Sequence, residues 1–144
     1  MSPEKNDAWG KDVKTKKLNC GLEIAMEDYY EIDESGSKKT EFTFDEALEI
    51  EKKTGGKWRV PTIKEWLQIV LELGTTEDGN LDRNKFVKEL NLTEDEDSYG
   101  YYWSSTVYSG SFAYYLNYNS GGLYPADRYG RSNGRSVRLV RGQQ

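Results

Sequence analysis

Apolar residues at helical spacing mark two segments in the first half of the chain. In the first, Thr43 and Glu46 form a capping box that predicts a helix start, because each side chain can bond the other's backbone N–H. Ala47, Leu48 and Ile50 supply the apolar side of this helix. The Gly55-Gly56 pair predicts its end.

A second helix is predicted after Pro61, where Thr62 and Glu65 form another capping box. Its apolar positions recur at helical spacing: Ile63, Trp66, Leu67, Val70 and Leu71. Gly74 predicts its end, and Trp66 is expected in the core.

The segments around these helices have different patterns. Residues 1–42 read as an irregular N-terminal arm over 1–20, a strand within Leu22–Ile32 and a turn over Asp33–Lys39. Residues 75–98 form an acidic insert with one short helix near Asp82–Leu90. Residues 99–141 are short runs of Tyr, Trp, Val and Leu broken by Gly, which is typical of strands. Helices followed by strands predict one α+β domain over 1–144.

Strand alternation divides the segment Phe112–Asn119 into two faces. Phe112 and Leu116 nominate one face as core, together with Tyr114 and Tyr118. Tyr115, Asn117 and Asn119 would then point outward.

The dipeptide Asn133-Gly134 favours a tight hairpin turn. Such a turn would bring the loop 124–133 beside the strand 112–119.

Charge and composition narrow the function. The net charge is −5, yet after Ser98 the only acid is Asp127 and there are five Arg and no Lys. A phosphate-binding face usually includes Lys, so we expect no nucleic-acid partner. The chain has no His and one Cys, Cys20, which leaves no zinc ligand set and no internal disulfide. No apolar run is long enough to span a bilayer.

Neither calcium nor catalysis is predicted. Asp78, Asn80, Asp82 and Glu89 fall at EF-hand spacing, but Arg83 stands where that loop needs Gly. We therefore predict no metal and no cofactor. A nucleophilic serine in Tyr102-Trp103-Ser104-Ser105-Thr106 would need a base; without His, only a Ser–Lys pair stays open. The segment is better interpreted as framework with Trp103 buried, and no catalytic residue is assigned.

The residue composition of the C-terminal part indicates a binding surface instead. Nine of the 11 Tyr lie from Tyr99 onward, mixed with Ser, Asn, Gly and Arg. Antibody combining sites use the same mixture, in which rigid rings give contact area and small polar residues give adaptable hydrogen bonds.

The order of motifs resembles the C-type lectin fold in its disulfide-free, formylglycine-generating-enzyme-like branch. The resemblance rests on WRVPTIKEW, GYYWSST, AYYLNYNSGG and the closing SVRLVR, and it covers Thr43 to Arg141. It implies two helices packed on a small, twisted, mainly antiparallel sheet. The namesake enzyme depends on cysteines, and Cys20 lies outside the match, so its activity is not expected here.

Within that branch the chain resembles the variable proteins of diversity-generating retroelements. In these proteins a reverse transcriptase rewrites adenines in a C-terminal region, and the fold holds the changed residues as a ligand-binding site. The resemblance implies this site here: Tyr108, Ser109, Ser111, Tyr115, Asn117, Asn119, Tyr124, Ala126, Asp127, Tyr129, Arg131 and Asn133.

The expected partner is a protein or cell-surface ligand bound by a monomer that does not insert into membranes. The N-terminus has no signal-peptide pattern, so we expect cytoplasmic synthesis, with any virion or surface association made through partners. The alternative is an unvaried domain of the same fold with a structural or carbohydrate-binding role. The closing strand would be anchored by Val137, Leu139 and Val140, with Arg138 and Arg141 in framework ion pairs.

Overall fold

The computed structural model describes residues 7–10 and 12–142. The helices are α1 (Asp7–Gly10), α2 (Phe44–Lys53), α3 (Ile63–Leu73) and α4 (Arg83–Leu90). The strands are β1 (Thr15–Lys17), β2 (Leu22–Ala25), β3 (Glu31–Ile32), β4 (Lys38–Lys39), β5 (Gly100–Val107), β6 (Phe112–Asn119), β7 (Gly122–Gly130) and β8 (Val140–Gly142).

The strands form small antiparallel sheets, in the orders β1-β2-β8, β3-β4 and β5-β6-β7. The protein is therefore of the α+β class, as predicted, and its single cysteine, Cys20, is free and exposed. Within residues 7–10 and 12–142, no helix has the length and apolar character needed to cross a membrane.

All three predicted helices are present, and the first two begin at the predicted N-caps, Thr43 and Thr62. In both capping boxes the threonine hydroxyl accepts from the glutamate N–H and the carboxylate accepts in return, at 3.2 and 2.9 Å for Thr43 and Glu46 and at 3.1 and 2.9 Å for Thr62 and Glu65. Asp82 caps α4. These starts depend on contacts three residues apart, so the sequence was sufficient to predict them.

The N-terminal part differs from the prediction. Residues 1–6 and 11 of the predicted irregular arm lie outside the described residues. In the part described, β1 pairs with β2, and Trp9 is buried with its indole N–H donating to the Asp28 carbonyl at 2.9 Å. The strand predicted within Leu22–Ile32 is present as β2, which ends at Ala25, and a second short strand, β3, starts at Glu31. The chain leaves the sheet between them so that the Asp28 carboxylate can reach Arg138.

The sheet β5-β6-β7 separates two hydrophobic clusters. On one side, α3 and α4 pack on the sheet with Trp66, Phe86, Tyr102, Leu116 and Tyr118 among the buried residues. On the other, α2 and the N-terminal part contribute to a cluster with Trp9, Phe44, Trp103, Ala113 and Tyr115. Each central tryptophan is fully buried and hydrogen-bonded. Trp66 donates to the Trp103 carbonyl at 3.1 Å, and Trp103 donates to the Phe42 carbonyl at 2.7 Å.

The closing segment is anchored as predicted, with Val137, Leu139 and Val140 fully buried. Arg138 is also fully buried and donates to Asp28 Oδ1 from Nε at 3.0 Å and from one terminal nitrogen at 2.7 Å. Arg141 donates to Glu23 at 2.9 Å. Both arginines therefore make framework pairs.

We predict that Trp66→Ala and Trp103→Ala each lower the free energy of unfolding by roughly 3–5 kcal/mol, as truncation of buried aromatic residues does. Urea denaturation measures the loss. Leu71→Ala is the control on α3, because Leu71 is 65% exposed; it should change stability by about 0.5 kcal/mol or less. Parent-like unfolding of both tryptophan variants would contradict the core assignment.

Arg138→Met should cost roughly 3–5 kcal/mol, since it leaves the Asp28 carboxylate and three backbone carbonyls without their buried donor. Arg141→Met is the matched control. Its ion pair with Glu23 is partly exposed, with 41% and 32% of the two side chains accessible, so the loss should be about 1 kcal/mol or less. Equal losses in the two variants, measured by urea denaturation, would show that burial of Arg138 is not decisive.

Candidate ligand-binding face

An irregularity in the pairing of β6 with β7 places Tyr124 and Asp127 on the same face of the sheet. Tyr115 pairs with Asp127, and Asn117 pairs with Tyr124. The stretch between the pairs therefore has one residue on β6, Leu116, and two on β7, which is the count of a β-bulge.

Strand alternation divides β6 into the two predicted faces, but their exposure differs from the prediction. Tyr115 was expected outside, yet it is buried, with 4% of its surface exposed, and it belongs to the same cluster as Trp103. Leu116, the next residue, is buried in the cluster on the opposite side of the sheet. Phe112 was expected in the core and is 45% exposed. The prediction of exposure failed because each face of the sheet is covered over part of its length.

Tyrosines from all three strands lie side by side on the Trp103 side of the sheet. The rings of Tyr101 and Tyr115 stack with centroids 5.8 Å apart, and those of Tyr115 and Tyr129 stack at 5.3 Å. Tyr99 lies 6.2 Å from Tyr101, and Tyr124 pairs with Asn117 across the strands. We call this surface the tyrosine face: Tyr99, Tyr101, Tyr115, Asn117, Tyr124, Asp127 and Tyr129.

Arg135 fixes the rings from above the stack. Its guanidinium carbon lies 4.5 Å from the Tyr101 ring centroid and 4.1 Å from that of Tyr129, which is cation–π distance. Burial raises the pKa of Tyr115 to about 12, with the charge of Asp127 acting in the same direction and that of Arg135 opposing it. The hydroxyl of Tyr115 therefore stays protonated and available as a hydrogen-bond donor.

The polar groups of the face are only partly satisfied. Asn117 donates from its amide nitrogen to Asp127 at 3.1 Å. The amide oxygen of Asn117 is buried and has no hydrogen-bond partner among the residues described. A buried acceptor without a partner is unfavourable, so this oxygen adds a cost to the folded state.

A second aromatic surface lies at the loop between β5 and β6. We call Val107, Tyr108, Phe112, Tyr114 and Arg128 the loop surface. Tyr108 and Tyr114 meet edge to face at 5.5 Å, and the Arg128 guanidinium lies 4.4 Å from the Tyr108 ring centroid. The predicted site residues Ser109 and Ser111 are exposed in this loop.

The side chains of Arg131 and Asn133 make contacts that hold the loops in place. Arg131 pairs with Asp45 at 2.9 Å and lies 4.9 Å from the Phe44 ring centroid, which ties the end of β7 to α2. Asn133 is exposed and bonds back to the Gly130 carbonyl through its N–H and its amide nitrogen.

The Asn133-Gly134 hairpin turn predicted from the sequence is wrong. Neither residue has the positive φ that such a turn requires. The following residues instead bridge to other parts of the chain, with Arg135 beside Phe42 and Ser136 beside Tyr102. The chain therefore crosses to the β5 side of the sheet rather than returning along β7.

The predicted site residues thus divide into groups. On the tyrosine face lie Asn117, Tyr124, Asp127 and Tyr129. Tyr115 is buried beside them, and Asn119 follows Asn117 by two residues on β6. Ala126 is exposed in the bulge. The others, namely Tyr108, Ser109, Ser111, Arg131 and Asn133, lie near the β5–β6 loop or in the turn after β7.

Sequence reasoning missed three members or neighbours of the tyrosine face. Tyr99 and Tyr101 precede Trp103 at spacing two, so strand alternation could have placed them on the face of Trp103. Arg135 had no such signal, because its position over the rings follows from the path of the chain after Gly130.

The segments considered for metal binding and catalysis have structural contacts. Asp82 caps α4, and Glu89 pairs with Lys16 at 3.0 Å. Ser104 is buried and donates to the Tyr114 carbonyl at 2.7 Å. In the described part of the chain, no three His, Cys, Asp or Glu side chains group closely enough to hold a metal ion.

The sequence matches no known protein family and no curated protein sequence, so the function is inferred from the residues described above.

We predict that Tyr115→Ala lowers the free energy of unfolding by roughly 3 kcal/mol or more, because it removes the central buried ring of the stack. The combined variant Ser109→Ala, Ser111→Ala, Tyr124→Ala should change it by about 0.5 kcal/mol or less per site, since these side chains are exposed. Thermal melts of both variants test the division. A large loss of stability in the combined variant would show that these exposed residues contribute to the fold.

Proposed function

We propose that this protein is a ligand-binding receptor that displays a diversified Tyr, Asn, Ser, Asp and Arg surface on a C-type lectin scaffold, in the manner of diversity-generating retroelement variable proteins. The observation that carries the proposal is the pairing of exposed residues of the tyrosine face with a buried base. Exposed Asp127 pairs with Tyr115, which is buried in the cluster of Trp103, and exposed Tyr124 lies on the same face opposite Asn117.

The positions of the resemblance motifs support the scaffold. The WRVPT segment bridges to the closing strand through Arg59 and Val140, and its Thr62 caps α3. The YWSST segment lies in β5, where the Ser105 N–H donates to the Pro61 carbonyl and Thr106 Oγ1 accepts from the Ile63 N–H. The two motifs therefore hold each other, and β8 closes a sheet with β2.

The structural independence of the exposed side chains supports a changeable surface. Backbone hydrogen bonds hold β6 and β7 together whatever side chains they carry. The side chain of Asn117 contributes a hydrogen bond to Asp127, a partner on the same face. Replacement of exposed members leaves the Trp103 cluster in place, so the fold can present many surfaces.

Binding on this face would use shape and hydrogen-bond complementarity. Exposed tyrosines give large contact area with little loss of side-chain entropy, and a few aromatic anchors commonly dominate such interfaces. Tyr99 and Tyr124 are the exposed rings suited to that role.

The DNA that flanks the gene tests the proposal. We expect a reverse transcriptase gene and a second copy of the segment encoding residues 99–141 that differs from it at template adenines. Sequences from independent isolates should vary at Asn117, Tyr124 and Asp127 and keep Trp103, Tyr115 and Arg138. A locus without the second copy, and isolates identical at the exposed positions, would favour the unvaried domain with a structural or carbohydrate-binding role.

A further inference from the structure

We infer that the partner of the tyrosine face is a basic protein segment, which presents lysine or arginine side chains to the exposed tyrosines. The inference rests on the proposed function, since it names the chemistry of the ligand that the face would bind. The charge around the face and the packing of the chain's own arginine on the tyrosine rings carry it.

The border of the face at Tyr99 is strongly acidic. Glu94, Asp95, Glu96 and Asp97 are exposed and precede Tyr99 directly. Asp95 accepts from the Tyr99 N–H at 3.0 Å and from the Asp97 N–H at 2.8 Å, which folds this acidic turn back onto the start of β5. Glu96 and Asp97 form no ion pair with another described residue, so their charges remain available.

The face itself adds an acceptor. Asp127 is exposed on it and accepts from the Asn117 side chain at 3.1 Å. Ammonium and guanidinium groups carry several donors and a positive charge, so they suit this carboxylate.

The positive charges near the face are already engaged. Arg83 pairs with Glu94 and donates to the Asn119 carbonyl at 2.7 Å. Arg135 lies against the rings of Tyr101 and Tyr129. Arg128 belongs to the separate loop surface, where it packs on Tyr108. Five carboxylates, those of Glu94 to Asp97 and Asp127, therefore lie near the exposed tyrosines, against the positive charges of Arg83 and Arg135. This excess of negative charge attracts a cationic partner.

Arg135 also shows how these rings receive a cation. Its guanidinium approaches two tyrosine rings to within 4.5 Å of their centroids. Tyr99 and Tyr124 are 39% and 45% exposed and could accept partner cations in the same way.

Hexalysine and hexaglutamate are the probes that test this inference. Each is titrated into the full chain at about 0.1 M salt, where the Debye length is about 10 Å and distant charges are screened. Amide chemical shifts report where the probe binds. We expect hexalysine to shift amides of Tyr99, Tyr101, Asn117, Tyr124 and Asp127, and hexaglutamate to leave them unchanged.

Two double variants separate the local charge from the net charge. Glu96→Gln with Asp97→Asn removes the free acids beside the face. Glu77→Gln with Asp78→Asn removes an identical exposed dipeptide from the α3–α4 loop, on the side of the helices that cover the opposite face. The first should weaken hexalysine binding by roughly threefold or more and the second by less than about 1.5-fold, since only nearby charges act at this salt concentration.

Equal weakening by the two double variants, or hexalysine shifts outside the tyrosine face, would overturn the inference. A preference of the face for hexaglutamate would do the same. None of these results affects the sequencing test of the proposed function, because a diversified face that selects a neutral or acidic partner would still have its second gene copy.

Discussion

The buried guanidinium of Arg138 is the interaction on which the rest of the structure depends. It bonds the Asp28 carboxylate and the carbonyls of Ala25, Leu90 and Asn91, so it joins the end of β2, the loop after it and the end of α4. Asp28 in turn accepts from the Tyr102 hydroxyl at 2.8 Å, which extends the network into β5. A buried arginine is tolerated because its donors meet acceptors placed around it. The same network explains why the chain leaves β2 at Ala25.

The Arg138 network lies next to the sheet β5-β6-β7, which is buried on both of its sides. Tyr102 faces Arg138 and the helices α3 and α4, whereas its neighbour Trp103 faces α2. Each side of the sheet is covered over only part of its length. The uncovered part on the Trp103 side is the tyrosine face, which therefore continues a hydrophobic cluster outward and has a rigid base in Tyr115.

The sequence predicted what depends on near neighbours and missed what depends on distant ones. The caps at Thr43 and Thr62 were predicted because each threonine bonds a glutamate three positions on. The burial of Tyr115 was not, since the cluster that covers it includes residues of α2 and of the N-terminal part, which are distant in the chain. The Asn-Gly turn failed for the same kind of reason: Phe42 and Tyr102 draw the residues after it to another place. In the candidate site, exposure was predicted correctly for Tyr124, Asp127 and Asn133 and wrongly for Tyr115.

A surface that can change needs a base that does not, and β6 provides it. Strand alternation places Tyr115 and Leu116 on opposite sides of the sheet, so these two consecutive residues belong to the two hydrophobic clusters. Asn117 is then left at the open edge of the face, opposite Tyr124. The strand register is thus fixed by buried residues, and it does not depend on Asn117, Tyr124 or Asp127. Those positions are free to differ in side chain without a slip in pairing, since a one-residue slip would have to bring Tyr115 and Leu116 out of the core.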